Sequence, residues 1–321
     1  MSEPWLTVAL PVYNREHYLP EALGSIAAQD DDGIEVIAVD DGSTDGTLDI
    51  LRSHATRMRM EIVEQEHGGN WMVGANRALK MARGHYFCIL HDDDLWLPGR
   101  AQALRGICQN GGPALVLHSC WYIDERGKRI GRLTCPLPKG RPLPGDAVLE
   151  HLLVQNFIPV PGGTFRRDVA LDAGGFDETI WWAPDWDMAV KAAAVGPTVY
   201  VGSTLGAYRI HQQEGSFSGK WGPEALRDHW TTVVDRGLRS WRATGRVRDD
   251  VEALSRFNIE VNTELLAFVR GEPARLGRVL VGFVRLGPRR WWRYLRDSRM
   301  LQRGAARARV AFAERRHRRR S

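Results

Sequence analysis

This sequence has no apolar run near the roughly 20 residues that span a bilayer. The longest candidate toward the C-terminus, Val279 to Val284, is far too short. Cysteine is scarce: Cys88, Cys108, Cys120 and Cys135 form neither a Cys-x-x-Cys pair nor a zinc-ligand spacing. That excludes a cysteine metal site and reads as reduced packing residues of a cytosolic protein. The N-terminus, Met-Ser-Glu-Pro-Trp, runs straight into strand-like residues, so no cleaved signal peptide is expected. No Gly-x-Gly-x-x-Gly follows the first strand candidate, which removes the main support for a dinucleotide-binding fold. No Gly-x-x-x-x-Gly-Lys-Ser/Thr occurs, so a P-loop is excluded. No repeat at solenoid periods is present. A nucleotide site here would have to be made by carboxylates and strand-end backbone.

What is present is an ordinary globular composition, 43% hydrophobic and 26% charged, over 321 residues. That length can bury a substantial core. The net charge of +5 hides an asymmetry: from Arg285 onward 14 Arg face only Asp297 and Glu314, so this stretch carries +12 and the rest −7. A basic tail on an acidic body suits an anionic partner or a solvated end.

Apolar runs and turn chemistry alternate along the first half. Strands are expected at Trp5 to Val12, Ile34 to Val39, Met58 to Glu64 and Tyr86 to Leu90. Helices are expected between them, at Glu16 to Ala28, Thr47 to about His54, with Thr44 or Asp45 as cap, and about Val73 to Ala82. The alternation argues for an α/β fold with a mostly parallel sheet wound with helices. Further on, Pro98 is expected to open a helix, Ala114 to Ile123 a strand, and Asp124 to Lys128 a hairpin turn. Cys135 to Pro144 reads as a loop, and helices are expected at Asp146 to Val154, near Asp168 to Ala173, and at Asp185 to Val195. Strand-like residues run from Thr198 to Ile210. From Pro223 long helical patterns take over, about 224–241, 247–270, 273–286 and 288–316. The boundary is expected near Gly215 to Gly222, which divides the chain into 1–218 and a helical C-terminal region, 219–321.

The run Tyr86 to Leu90 stops at His91-Asp92-Asp93-Asp94. Open α/β sheets hold ligands at the carboxyl edge of their strands. Three adjacent carboxylates repel one another, and a hard divalent cation would relieve that repulsion. The same residues also suit a solvated acidic turn or a helix N-cap. Asp41, at the second strand end, could accept hydrogen bonds from a base or ribose, or serve as an Asx-turn residue.

Four segments in order carry a resemblance: Thr7 to Asn14; Val39-Asp40-Asp41-Gly42-Ser43-Thr44-Asp45-Gly46-Thr47; Ala82-Arg83-Gly84-His85-Tyr86 into the Asp triad; and Gly174-Gly175-Phe176-Asp177-Glu178 ahead of Asp185-Trp186-Asp187. Over roughly residues 5–215 the chain resembles the family 2 inverting glycosyltransferases of GT-A fold. The resemblance implies transfer of a sugar from a nucleotide diphosphate sugar to an acceptor, with Mn²⁺ or Mg²⁺. It implies that Pro11, Tyr13 and Asn14 line the nucleotide pocket, that Asp41 holds base or ribose, and that Asp92 and Asp93 form the acidic pair, Asp93 ligating the metal. Asp94 would support the turn. Asp185 matches the family's general base, although Pro184 stands where the family usually has Glu; the competing role of Asp185 is a helix N-cap. Asp187 is expected to be structural. His211, in Tyr208-Arg209-Ile210-His211, matches a later element in which His can touch the metal or the diphosphate.

Trp181, Trp182 and Trp186 crowd the base, and one of them is expected to contact the acceptor. That acceptor could be a sugar, a lipid-linked group, a peptide or a natural product. The tail segment Arg289 to Arg296 mixes Arg and Trp, which fits first a basic helix packed by its apolar face, with a disordered Arg315 to Arg320 run, and next peripheral contact with the inner face of a membrane, rather than nucleic acid. A nucleotidyltransferase on a similar sheet is the enzyme alternative, though the Gly-rich first loop of sugar-nucleotide pyrophosphorylases is absent. A nucleotide-sugar-binding module without turnover is the non-enzyme alternative.

Overall fold

The computed structural model describes residues 3–109, 112–210, 222–243 and 247–298. Two strands at its centre explain the unbroken apolar runs. Every residue of β1 (Leu6–Val12) and β2 (Ile34–Asp40) is buried. Leu6, Val8, Leu10, Val36 and Ala38 point to α1 (Leu19–Ala27) and α4 (Arg100–Cys108). Ala9, Ile37 and Val39 point the other way, to α3 (Trp71–Met81). Strands covered on both faces need apolar side chains at every position, which is the signature of a parallel sheet wound with helices.

Six strands run in one direction: β1, β2, β3 (Met60–Glu64), β4 (Tyr86–Ile89), β6 (Leu115–Ile123) and β10 (Thr198–Arg209). Four short ones oppose them: β5 (Leu95–Trp96), β7 (Arg129–Leu133), β8 (Pro142–Leu143) and β9 (Gly163–Arg166). The order is β3-β2-β1-β4-β9-β6-β10-β5, with β7 on β6 and β8 on β10. The sheet is therefore mostly parallel but mixed. Helix α2 (Thr47–Ala55) follows β2; α5 (Gly145–Leu152), α6 (Arg167–Asp172) and α7 (Pro184–Val195) precede β10.

Several local expectations are corrected. Residues 163–166, just ahead of the helix expected near Asp168, form a strand that was not expected, β9, wedged antiparallel between β4 and β6. The expected loop from Cys135 to Pro144 contains β8. Pro98 does not open α4; the helix starts at Arg100 behind Gly99, whose φ of +80° a glycine adopts without strain. The N-cap of α2 is Gly46, although Asp45 Oδ1 accepts from the Thr47 N–H at 3.0 Å. Helix α3 begins at Trp71, capped by Asn70, whose side chain accepts from the Met72 N–H.

The Ala-Arg-Gly segment turns out to brace the opposite edge of the sheet. Glu35 is 1% exposed and accepts from the Thr7 hydroxyl at 2.6 Å, the Arg83 N–H at 2.7 Å and Arg83 Nε at 2.9 Å. Burial pushes its carboxyl up, but these hydrogen bonds and the Arg83 charge outweigh it and hold it below the usual range. A Cβ on Gly84 would lie 2.5 Å from the Thr7 amide nitrogen, so only glycine fits that crossing.

Four long helices complete the described chain: α8 (Pro223–Arg242), α9 (Asp249–Arg270), α10 (Leu276–Leu286) and α11 (Pro288–Ser298). Val233, Leu238, Trp241, Leu254, Phe257 and Tyr294 belong to the same apolar core as Phe87, Ile89 and Leu115 of the sheet. Trp241 Nε1 donates to Asp146 Oδ1 at 2.9 Å, tying α8 to α5. Most of the expected boundary, His211, residues 299–316 of the last expected helix and the run Arg315 to Arg320 lie outside the described residues.

Candidate donor and catalytic site

The carboxyl ends of β1, β2, β3 and β4 meet along one edge, and the loops that leave them interlock. Asn14 has φ +50°; its N–H donates to Ser43 Oγ at 2.9 Å and its Oδ1 accepts from the Thr44 N–H at 2.8 Å. Asp40 Oδ2 accepts from the Ser43 N–H at 3.0 Å, and Asp45 Oδ2 accepts from the Glu16 N–H at 3.2 Å. The acidic, Gly-rich segment after β2 thus uses Asp40, Ser43 and Asp45 to shape a loop. Asp41 is left facing the cleft.

Asp41 is ringed by donors. Gln65 Nε2 donates to Oδ1 at 2.8 Å, the Gly68 N–H to Oδ1 at 3.0 Å and the Gly69 N–H to Oδ2 at 2.8 Å. Burial pushes its carboxyl up, yet those hydrogen bonds and His67 hold it below the usual range. His67 Nδ1 lies 3.0 Å from Asp41 Oδ2, and its ring stacks on Tyr13 with centroids 3.8 Å apart at 20°. Tyr13 keeps 38% exposure. Pro11, Tyr13, Asn14 and Asp41 therefore share one loop cluster, but with unequal roles. Pro11 is a buried strand residue paired with Val39, and the side chain of Asn14 is spent on pinning the loops. Tyr13 offers an aromatic face, and Asp41 a carboxylate.

The acidic turn follows β4. Asp92 is nearly buried, 3.3 Å from Arg15 Nε, and accepts from the Tyr13 N–H. Asp94 is fully buried and accepts the Arg209 N–H on Oδ1 at 2.9 Å. Burial, then the charge of Asp93, pushes both carboxyls well above the usual range. Arg209 staples the turn: its Nε donates to the Asp93 carbonyl at 2.8 Å, and its guanidinium reaches Asp124 O, Glu125 O and Glu21. Among the described residues, His91, Asp93 and Asp94 hold their ligand atoms within 4.8 Å of one another. His91 Nε2 and Asp94 Oδ2 are buried without a hydrogen-bond partner. The His91 ring meets Trp71 edge-on at 4.8 Å, and burial pushes its pKa down, so it is a neutral imidazole. Two carboxyl groups and an imidazole, with Asp94 Oδ2 and His91 Nε2 unpartnered, fit a divalent cation.

Asp185 lies within the first turn of α7, not ahead of it: Ala183 is the N-cap and Pro184 opens the helix. Pro184 brings a fixed φ and no N–H, which suits that position. Burial pushes the Asp185 carboxyl up to about 6, against donation from the Trp186 N–H and the Asn156 side chain. Asp187 is spent elsewhere: it pairs with Lys191 at 2.7 Å and lies 3.6 Å from Arg236. Arg236 also binds Asp177 of the Gly-Gly-Phe-Asp segment at 2.5 Å. Gly174 and Gly175, both at φ +78°, let that segment turn back onto α3, where Asn76 clasps the Phe176 N–H and carbonyl at 2.8 Å each.

Trp181 and Trp182 are half-buried beside α7, and the Trp182 N–H donates to His229 Nδ1 at 3.3 Å. Trp186 is fully buried with Nε1 on the Leu152 carbonyl at 2.8 Å, so it is core. Tyr208 meets the Tyr122 ring edge-on at 6.1 Å. Burial, then the charges of Asp94 and Asp93, push its phenol far up. Sequence reasoning passed over Arg15, Trp71, Asn156, Tyr208 and Arg209 as site residues. The requirement that a buried carboxylate cluster be offset by cations is the signal that would have singled out Arg15 and Arg209.

The family model described as Glycosyl transferase family 2 matches residues 7–172, just over half of the chain. Validoxylamine A glucosyltransferase of Streptomyces hygroscopicus subsp. limoneus is 34% identical over 291 residues, which cover 76% of this chain and 63% of that protein. An uncharacterized glycosyltransferase of Nostoc sp. is 28% identical over 209 residues, 64% of this chain and 65% of the relative. This chain thus spans somewhat less than two thirds of either. Among solved structures, S. aureus TarS 1–349 in complex with UDP-GlcNAc superposes with TM-score 0.58 at 18% identity, over 93% of this chain and 92% of that one. The mannosyltransferase PcManGT from Pyrobaculum calidifontis, in complex with GDP-Man and Mn²⁺, gives TM-score 0.54 at 20% identity, over 96% and 87%.

Proposed function

This chain belongs to glycosyl transferase family 2, and we propose that it transfers a glycosyl group from a nucleoside diphosphate sugar to an acceptor hydroxyl with inversion, aided by a divalent cation. The observation that carries the reading is Asp185, a buried carboxyl pushed up to about 6 and presented from the first turn of α7, just after Trp181 and Trp182. A group with that pKa is mostly ionised at neutral pH yet far more basic than an ordinary aspartate.

The base and ribose of the donor lie against Tyr13 and Asp41. The diphosphate lies over the acidic turn, where Asp93, His91 and Asp94 would hold a Mg²⁺ or Mn²⁺ ion. When bound, that ion offsets the negative charge of the diphosphate. His211 is a further candidate ligand. Arg15 engages Asp92 and keeps that carboxylate turned toward the Tyr13 loop, where it serves the donor pocket. The acceptor oxygen attacks the anomeric carbon from the face opposite the diphosphate. The new C–O bond forms as the bond to the diphosphate oxygen breaks, and the acceptor proton passes to Asp185. Trp181 and Trp182 provide apolar walls on which an acceptor ring can rest.

In this division of labour residues 1–218 carry both subsites and 219–321 form the supporting helical region. The resemblance to a validoxylamine glucosyltransferase makes a polyhydroxylated small molecule the first acceptor class to try. Among the described residues no helix is long and apolar enough to cross a membrane. The test is nucleoside diphosphate release from a panel of UDP- and GDP-sugars, with and without Mn²⁺, followed by NMR of the product's anomeric proton. Inverted configuration is expected; retained configuration would remove Asp185 as the single base.

A further inference from the structure

Among the described residues the C-terminal helices leave an apolar surface uncovered. Helix α10 has no fully buried residue. Its inner side rests Val279, Phe283 and Leu286 against the core, and Gly282 approaches the Phe257 ring. Its outer side carries a second apolar stripe: Leu276, Leu280 and Val284 at four-residue spacing with Val281 beside them, 41%, 66%, 60% and 50% exposed. Single exposed aliphatics are ordinary, but four on one helix face are a patch. Helical spacing puts the exposed Arg278 and Arg285 along one border of the stripe. The next helix adds exposed Arg289 and Arg296 and the 79% exposed Trp292.

We propose that the outer face of α10, with the basic side chains around it, docks on an anionic phospholipid bilayer. Charge decides among the possible occupants. A second copy would bring the same arginines onto these and repel. The chain's own residues 299–321 hold nine Arg and one Glu, so they too would carry like charge to the patch. An anionic surface is attracted by these cations. Nucleic acid offers phosphates but no partner for four aliphatic side chains, whereas a lipid interface accepts Leu and Val into its acyl region and Arg and Trp at the headgroups. This surface does not depend on the assignment of Asp185.

The test is flotation of the full chain with vesicles of phosphatidylcholine alone or with 30% phosphatidylglycerol added (~30%, to give an anionic surface). Binding is expected to the anionic vesicles, to weaken with salt, and to be slight on phosphatidylcholine. Leu280→Glu with Val284→Glu should reduce binding at least about tenfold while the melting temperature stays near wild type, because both side chains face solvent. Arg278→Glu with Arg285→Glu should reduce it as well. Undiminished vesicle binding by Leu280→Glu with Val284→Glu would overturn the proposal and shift the contact to residues 299–321. Absence of binding to anionic vesicles would overturn it too. So would a dimer in light scattering that the same pair of substitutions dissolves.

Discussion

Arg209 donates its backbone N–H to Asp94 Oδ1 at 2.9 Å while its Nε donates to the Asp93 carbonyl at 2.8 Å. One residue at the end of β10 thereby fixes the turn that ends β4, from opposite sides of the peptide chain. Its guanidinium also lies over the Tyr18 ring at 4.7 Å and is nearly inaccessible to water. Arg209→Ala would take a donor from the carbonyls of Asp93, Asp124 and Glu125, which are only partly shielded from water, at a cost on the order of 2 kcal/mol. Arg209→Lys should recover part of it, since one ammonium cannot reach the acceptors that a planar fork reaches. Chemical denaturation of both variants checks the order wild type, Lys, Ala; equal stability of the Ala variant and wild type would refute the staple.

The acidic turn makes a second prediction. Asp93→Ala should abolish transfer and remove the increase in donor affinity that Mn²⁺ gives, because the cluster His91, Asp93, Asp94 would lose its most accessible carboxylate. Asp92→Asn should act more mildly, because that carboxylate is engaged by Arg15 and the Tyr13 N–H. Calorimetry of donor binding with Mn²⁺ and with chelator separates the two. Undiminished turnover of chelated wild type would dismiss the metal.

Asp41 makes the third. Base and ribose contacts are made about equally in ground and transition states, so Asp41→Ala should raise the donor KM about tenfold with kcat nearly kept. The structure adds a local effect. The same carboxylate accepts from Gln65, Gly68 and Gly69, so the variant should also loosen the 65–69 loop and speed hydrogen exchange at the Gly68 and Gly69 amides. An unchanged KM with faster exchange would make Asp41 a loop residue only.

The order of these parts was legible because buried parallel strands leave a strong pattern. Seven consecutive buried residues in β1 and in β2, each followed by turn chemistry, can hardly be read otherwise. Of the opposing strands only β7 was foreshadowed, by the expected hairpin turn at Asp124 to Lys128; the other three were not legible. Pro142–Leu143, Leu95–Trp96 and Gly163–Arg166 are two to four residues long and owe their conformation to neighbours remote in sequence. The same distinction holds at the site. Asp41, Asp93 and Asp185 stand out as candidates by residue type and by their place after a strand or at a helix start. Arg209 and Tyr208 matter only because β10 returns beside β6 and carries them back to the acidic turn, a register that periodicity does not encode. Asn156 donates to Asp185 from a loop with no motif at all.

Asp185 makes the last prediction, and its sign can be worked out on two counts. As a base it acts ionised, so kcat/KM should rise with pH through a midpoint near 6, the value to which burial pushes it. Asp185→Asn keeps the side-chain shape and should lose roughly 10²–10⁴ in kcat with donor affinity within a few-fold of wild type. Stability should move the other way. The folded carboxyl binds its proton more tightly than the unfolded one, so folding is fully favoured below about pH 4 and loses stability as pH rises toward 6. At pH 7 to 8 the ionised, desolvated group costs roughly 3 kcal/mol. Asp185→Asn removes that cost, so its melting temperature should exceed wild type at pH 8 and match it near pH 4. A variant that is inactive yet no more stable at pH 8 would mean that the carboxylate is well solvated and that its basicity has another source. A variant that turns over normally would take Asp185 out of the reaction.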